Sequence, residues 1–384
     1  MALHFLKDEY AKRRQRACLA LEDAGLDGLL CFRQETMYWL TGYDTFGYVF
    51  FQCLYLGVDG RMMLLTRAPD LRQAQLTSIL NDIRVWVDRE DADPAEQLRE
   101  VLREFGCANT TLGVEYEAYG LTASNGKRLD AALDGFATRT DASLLISKLR
   151  VVKSDAEIAY VRKAAELGDA AFEAAQPRIE PGGFEGDILA AMQGAVFQGG
   201  GDYAGNEFII GSGEHALLCR YQTGRRHLAD SDQLTLEWAG VYRRYHAALM
   251  RTVRLGPPPP QQAEMAGVAR DALLAVEDML HPGQTFGDAF NAHAEVLDRA
   301  GYGAHRLNAC GYSLGSTFAP NWMDWPMLYG GNPVEIRPGM VIFVHIIIAD
   351  SRQGLAMTYG RTSLIGERGP EPLSQLDLDL PVLK

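Results

Sequence analysis

The chain has 384 residues, 47% of them apolar and 23% charged, with a formal net charge of −13. That length suits about two domains, the composition is that of a globular chain, and the acidic balance excludes the basic face a nucleic-acid binder needs. No stretch is long and apolar enough to span a bilayer, Met1 to Arg16 lacks the apolar centre of a secretory signal, and six scattered cysteines without a CxxC pair fit a reduced, cytoplasmic chain with no disulfide or zinc framework.

Residues 5–24 carry a helical period that stops at Gly25, and Leu29 to Phe32 reads as a short buried strand. Leu54 to Leu65 reads as a hairpin turning at Asp59-Gly60. Asp93-Pro94 caps and opens a helix that ends at Gly106, and Thr111 to Glu115 is a further strand. This alternation predicts a small α/β domain over residues 1–150. Ser154-Asp155-Ala156-Glu157 is then a capping box: the serine side chain serves a free helix N–H and the glutamate reaches back. Its helix runs to about Ala175, before Pro177, Pro181 and Gly182-Gly183 punctuate the chain. Helices are predicted near 184–198, 262–280 and 286–300, and strands near 207–211, 232–241, 245–255, 341–348 and 355–365. The run Pro257 to Pro260 reads as a short rigid connector. Paired strands with helices grouped between them predict an α+β domain over 151–384.

Two stretches carry a family resemblance. One is Lys148-Leu149-Arg150-Val151-Val152-Lys153-Ser154 followed by Glu157-Ile158; the other is Pro338-Gly339-Met340-Val341 leading into a strand. With Trp39-Leu40-Thr41-Gly42-Tyr43 in the first half, they resemble the creatinase, aminopeptidase P and prolidase superfamily over nearly the whole chain. Glu237-Trp238-Ala239-Gly240-Val241-Tyr242-Arg243-Arg244-Tyr245-His246, and Gly311-Tyr312 with Pro320 and Trp322 downstream, are similar to its ectoine hydrolase and creatinase branch. The resemblance implies an α/β N-terminal domain, a pita-bread C-terminal domain, and a homodimer in which the partner's N-terminal domain helps to close the site.

The peptidases of that superfamily hold two metal ions with two aspartates, a histidine and two glutamates, a hard-oxygen set that activates a water between the ions. Carried over position by position, the resemblance places these ligands at Glu237, Ala248, Tyr312, His345 and near Gly360-Arg361. One conventional ligand survives, so loss of the metal pair is expected, with no cofactor in its place. The branch's acid–base histidine falls on Arg220 and its last-strand glutamate near Arg361, so the relatives' catalytic set is only partly present.

Glu237 interrupts an apolar strand, where an ionised carboxylate is costly unless paired. It reads as a nucleophile or general base, or as the buried partner of an arginine. His345 interrupts Val341 to Ile348 and reads as an acid–base imidazole, or as a satisfied core residue. Tyr312 lies in a loop-like stretch as a hydrogen-bond donor, or packs. Arg220 and Arg361 are candidates to hold a substrate carboxylate, since a guanidinium binds one with two parallel bonds. His246, Tyr359 and Trp322 are further candidate substrate contacts; strand alternation allows only one of Tyr245 and His246 to face the pocket. The expectation is a metal-independent hydrolase of a C–N bond in a small ectoine- or creatine-like amino-acid derivative. Glu237 would attack or activate water while His345 shuttles the proton. The alternatives are a catalytically degenerate small-molecule binding protein and an Xaa-Pro metallo-dipeptidase, the latter opposed by Ala248 and Tyr312.

Overall fold

The structure, a computed structural model, describes residues 3–221 and 224–384. It divides into two compact units, one ending at Arg150 and the other beginning at Val151. The first unit runs α1 (Lys7–Asp23), β1 (Gly28–Cys31), α2 (Gln34–Thr41), β2 (Cys53–Gly57), β3 (Met62–Arg67), α3 (Leu71–Thr77), β4 (Ile83–Trp86), α4 (Pro94–Glu104), β5 (Thr111–Val114), α5 (Ala123–Leu133), β6 (Thr138–Asp141) and α6 (Leu145–Arg150). The Asp93 carboxylate accepts from the N–H groups of Ala95 and Glu96, which starts α4 where the sequence sets Asp before Pro. The strands form one mixed sheet in the order β4-β3-β2-β1-β5-β6. Its centre is apolar on both faces: Leu30 joins Leu98, Leu102 and Leu129 on one side, while Leu29 and Cys31 join Leu21, Met37 and Leu40 on the other. That double covering is why β1 has no polar alternation to read.

The second unit runs α7 (Asp155–Ala175), α8 (Glu185–Gln198), β7 (Ile209–Ser212), β8 (Asp232–Tyr242), β9 (Tyr245–Leu255), α9 (Pro260–Met279), α10 (Phe286–Arg299), β10 (Ala309–Ser313), β11 (Asp324–Tyr329), β12 (Val341–Asp350), β13 (Leu355–Gly366), β14 (Gly369–Pro372) and β15 (Val382–Leu383). Its main sheet follows the order β11-β10-β12-β13-β9-β8-β7, with β14 beside β13 and β15 beside β9. The Ser154 and Glu157 capping box is present at the start of α7. Tyr312 lies within β10 and not in a loop; Gly311 and Ser313 flank it there, and the pairing with β11 is irregular, which removes the usual strand pattern.

Alternation along the strands decides which residues reach the two faces of this sheet. On β12, Ile342, Val344, Ile346 and Ile348 enter a core with Leu273 and Val276 of α9 and Phe286 and Leu297 of α10. Phe343, His345 and Ile347 therefore take the opposite face. On β8, Trp238 stacks on Phe172 of α7, ring centroids 5.4 Å apart, and its Nε1 donates to the Gly168 carbonyl at 2.8 Å. Glu237 consequently points away from α7. This close approach of helix to strand requires Gly240, where a Cβ would stand 1.8 Å from the Ala164 carbonyl oxygen.

On the helix side, Arg361 of β13 donates through Nε to Glu277 of α9 at 2.7 Å, and Ser363 Oγ donates to the same carboxylate at 3.0 Å. The Arg361 and Glu277 side chains are 13% and 6% exposed, so this is a buried clasp. Removing one partner of such a pair strands a charge. Arg361→Ala is expected to cost about 3–5 kcal/mol in denaturant unfolding, with much of the loss recovered in the Arg361→Ala/Glu277→Ala double variant.

Candidate active site

Register across the second sheet brings distant positions together. Ile209 lies opposite Glu237, Glu237 opposite Met250, Met250 opposite Gly360, and Gly360 opposite His345. Beside this row runs another. Ala239 faces Ala248, Thr362 Oγ1 donates to the Ala248 carbonyl at 2.9 Å, Thr362 faces Phe343, and Phe343 faces Tyr312. The side chains of both rows project from the face opposite α7, α9 and α10.

A cavity of about 380 Å³ opens over this face. Glu237, His345, Tyr312, Arg220, Cys219 and Trp322 line it, with Ile209, Leu307, Ile347, Met323 and Met327 as apolar wall and Asn206, Asn308 and Asn321 as polar points. Tyr312 spans the space between the acid and the imidazole. Its ring lies 5.6 Å from the His345 ring, its oxygen accepts from Trp322 Nε1 at 2.9 Å, and it lines the same cavity as Glu237.

The surroundings tune both titrating groups. Glu237 keeps part of its surface open to the cavity. Burial against the apolar wall nevertheless pushes its pKa up to about 7, while Arg220 and the Tyr312 hydroxyl pull the other way. Burial lowers His345 to about 4, assisted by His293 and Arg220, so its ring is neutral near pH 7. Its Nδ1 is buried without a hydrogen-bond partner among the described residues. A stranded N–H costs more than a stranded lone pair, which favours the tautomer that carries its proton on Nε2. Burial raises the Tyr312 phenol well above its ordinary value, and Glu237 adds to that, so the phenol stays a proton donor. Burial and Glu237 likewise raise the Cys219 thiol, which holds it in the unreactive form.

Five of the sequence-derived candidates meet here: Glu237, His345, Tyr312, Arg220 and Trp322. Three lie elsewhere. Arg361 points to the opposite face because it neighbours Gly360 on the strand, and it is engaged by Glu277. Tyr359 shares that opposite face, packs near Arg251, whose Cζ is 5.6 Å from its ring centroid, and borders a separate hollow with Arg270 and Leu378. His246 is fully buried and used by the backbone: Gly205 N–H donates to Nε2 at 2.8 Å, and Nδ1 lies 2.9 Å from the Arg244 carbonyl and 3.1 Å from Thr317 Oγ1. Burial lowers it to about 4, so it is a neutral pin between loops and not a cavity contact. Cys219, the three asparagines and Phe343 were not singled out from sequence, and only the alternation of Phe343 with His345 could have pointed to one of them.

Residues 159–367 match metallopeptidase family M24, and residues 13–152 match the creatinase/prolidase N-terminal domain. The chain belongs to family M24. It is 28% identical to an ectoine hydrolase of Halomonas elongata over 99% of this chain and 98% of that one. It is 29% identical to an uncharacterized hydrolase/peptidase of Sinorhizobium fredii over 99% of both. Among solved structures, a prolidase from Thermococcus sibiricus superposes with a TM-score of 0.87 at 19% identity, covering 97% of this chain and 99% of that one. A dipeptidase from Pyrococcus horikoshii superposes with a TM-score of 0.84 at 21% identity, covering 97% of this chain and all of that one. The fold is thus an N-terminal α/β domain and a pita-bread M24 domain.

The M24 name implies a metal centre, and the donors on this face do not fit one. Glu237 and His345 stand three strand spacings apart along their row, roughly 14 Å between backbones in a flat sheet. Between them in the row stand Met250 and Gly360, neither a carboxylate nor an imidazole, and Ala248 in the neighbouring row offers no ligand atom. The space above Gly360 is taken: a Cβ there would stand 2.8 Å from Cε2 and Cζ of Phe343 and 2.9 Å from Met250 Cβ. Among the described residues, no group of three or more His, Cys, Asp or Glu side chains is placed to hold an ion. A dinuclear site needs several carboxylates on shared ions, and a benzene ring and a methionine fill that ground here.

Proposed function

We propose that this cavity hydrolyses a C–N bond in a small, carboxylate-bearing amino-acid derivative without a metal ion. The observation that carries the reading is a carboxyl that burial pushes up to about 7, Glu237, sharing a small cavity with a neutral imidazole, His345, while two positions to which the resemblance assigns metal ligands hold Ala248 and Gly360. The full-length similarity to an ectoine hydrolase supports a non-peptide substrate. The volume suits a molecule the size of a modified amino acid, and Arg220, exposed beside Glu237, supplies the counter-charge for its carboxylate.

Ionised Glu237 takes a proton from water as the water oxygen bonds to the substrate carbon. The electron pair displaced from that carbon's double bond is met by the His345 Nε2–H, a neutral donor suited to charge that appears only in the transition state. Glu237, now protonated, hands its proton to the leaving nitrogen as the C–N bond breaks. The carbon's double bond re-forms as the amine leaves, so an amide gives a carboxylic acid and an amine, an amidine gives an amide and an amine, and the Glu237 carboxylate is regenerated. A group with a pKa close to the working pH serves well in both directions of this transfer.

Ectoine, hydroxyectoine, creatine, related N-substituted amino acids and Xaa-Pro dipeptides, incubated with enzyme and excess chelator and read by mass spectrometry, test the proposal. Product from a non-peptide member is the expected result. Cleavage of dipeptides alone, and only after manganese is added, overturns it in favour of the metallo-dipeptidase. A second reading, ligand binding without turnover, draws on His345 Nδ1, which no group among the described residues orients. Thermal stabilisation by a panel member that yields no product favours that reading. Arg220→Met is expected to raise KM for a carboxylate-bearing substrate by about 10–100-fold with little change in kcat, the scale of one lost charged hydrogen bond.

A further inference from the structure

We propose that Asn206 and Asn321 are specificity-determining residues that offer the cavity only amide N–H groups and so, with Arg220, select a carboxylate over the uncharged carboxamide of the same shape. A primary amide has an oxygen that accepts and an N–H₂ that donates, and what holds one end decides which end is left for a ligand. Both oxygens are taken here. The backbone N–H of Met323 donates to Asn321 Oδ1 at 3.0 Å, and the backbone N–H of Trp322 donates to Asn206 Oδ1 at 3.2 Å. A backbone N–H cannot accept, so neither side chain can turn end for end without setting donor against donor. Nδ2 of Asn321 has no partner among the described residues, and Nδ2 of Asn206 has a 3.4 Å approach to the Glu207 carbonyl and no other. Both side chains are half-buried and line the same cavity as the exposed Arg220.

The two amides are also fixed relative to each other. They stand on separate loops, one before β7 and one before β11. A Cβ at Gly205 would lie 2.9 Å from the carbonyl carbon and oxygen of Asn321 and from the Trp322 nitrogen, so the loops meet backbone to backbone and position 205 needs glycine. His246 pins the junction. Its Nε2 accepts from Gly205 N–H at 2.8 Å, and its Nδ1 lies 3.1 Å from Thr317 Oγ1, which is 3.4 Å from the Trp322 carbonyl. Donors held in place before the ligand arrives lose little freedom when it binds. Two amide N–H₂ groups and a guanidinium suit a group with two acceptor oxygens and no proton to give. A carboxamide offers one such oxygen and sets its own N–H₂ against a locked one. Ile209, Ile347 and Met327 add an apolar wall for the ligand's body, so the class is a short organic carboxylate. The inference rests on the carboxylate-bearing substrate proposed above, but it is read by binding alone, so failure of this selectivity and failure of the hydrolase reading are separable.

The experiment titrates the full chain with butyrate and with butyramide at one fixed pH and follows binding by NMR. The wild-type protein is expected to bind butyrate at least about tenfold more tightly than butyramide. Asn321→Asp is the decisive variant. Its carboxylate still accepts from Met323 N–H, so the loop keeps its hydrogen bond, while the N–H₂ becomes an acceptor oxygen. Butyrate should then bind at least about tenfold more weakly, and butyramide about threefold or more tightly, because its N–H₂ now meets an acceptor. The uncharged probe separates this reading from charge alone, which would weaken butyrate and leave butyramide where it was. Asn206→Asp, which keeps the hydrogen bond from Trp322 N–H on the other loop, should behave in the same way and serves if Asn321→Asp perturbs folding. Equal binding of the two probes by the wild-type protein, no binding of butyrate, or an unchanged affinity for butyramide in the folded variants overturns the proposal.

Discussion

Glu237→Gln is expected to reduce turnover by about 10²–10⁴-fold while leaving substrate affinity and the circular dichroism spectrum unchanged, because the amide keeps the shape of the acid but cannot take a proton. Turnover within a few-fold of wild type would refute the assigned role. The same group sets the pH profile. The active form is the carboxylate, so kcat/KM should rise with unit slope through about pH 7 and level off above it. Protonation of His345 near pH 4 falls where Glu237 already holds its proton and leaves no separate limb. Stability carries the opposite sign. The acid sits at about 7 in the folded chain against an ordinary 4.5, so below pH 4.5 both states hold the proton and nothing is lost. Between these values the unfolded chain ionises first and the native state weakens as pH rises; above 7 the penalty is constant. Glu237→Gln should therefore melt at a higher temperature than wild type at pH 8 and at the same temperature at pH 4.

His345→Ala is expected to lower kcat by about 10²–10³-fold with KM little altered, the behaviour of a donor engaged only as charge develops. His345→Gln, which can present an amide N–H to the same region, should recover part of the loss. If the imidazole were instead the essential proton carrier, glutamine would be as inactive as alanine. The rate of each variant at pH 6 and pH 8 separates the two, because a donor leaves the Glu237 limb in place whereas a lost proton carrier removes it.

Much of this site is legible in the sequence. Glu237, Tyr312 and His345 are polar residues set into apolar or glycine-flanked strands, and their distances from Arg251-Thr252 and from Pro338-Gly339-Met340 fix the register. Arg361 was misplaced for a physical reason. The side-chain period of a strand is two, so an uncertainty of one residue exchanges the cavity face for the helix face, and the structure gives the cavity to Gly360. Tyr359 fails by the same parity. His246 lies on a strand whose parity is right, yet its ring is consumed by Gly205, Arg244 and Thr317, and contacts between loops so far apart in sequence leave no local pattern. Phe343 is one more apolar residue in an apolar run, and its importance appears only when Gly360 is seen beneath its ring.

That ring also bars one way of building an ion site on this face. A carboxylate introduced at position 360 collides with Phe343, whereas trimming Phe343 first opens a void beneath a fully buried side chain. Either first step is harmful by itself, and neither yields a competent ion site until Ala248 changes too. Substitutions in the cavity wall can alter which small molecules fit, but a carboxylate at position 360 needs at least two coordinated changes, which one substitution at a time does not supply. Phe343 thus acts as a latch on the cavity floor, which holds position 360 to glycine for as long as its ring stays in place.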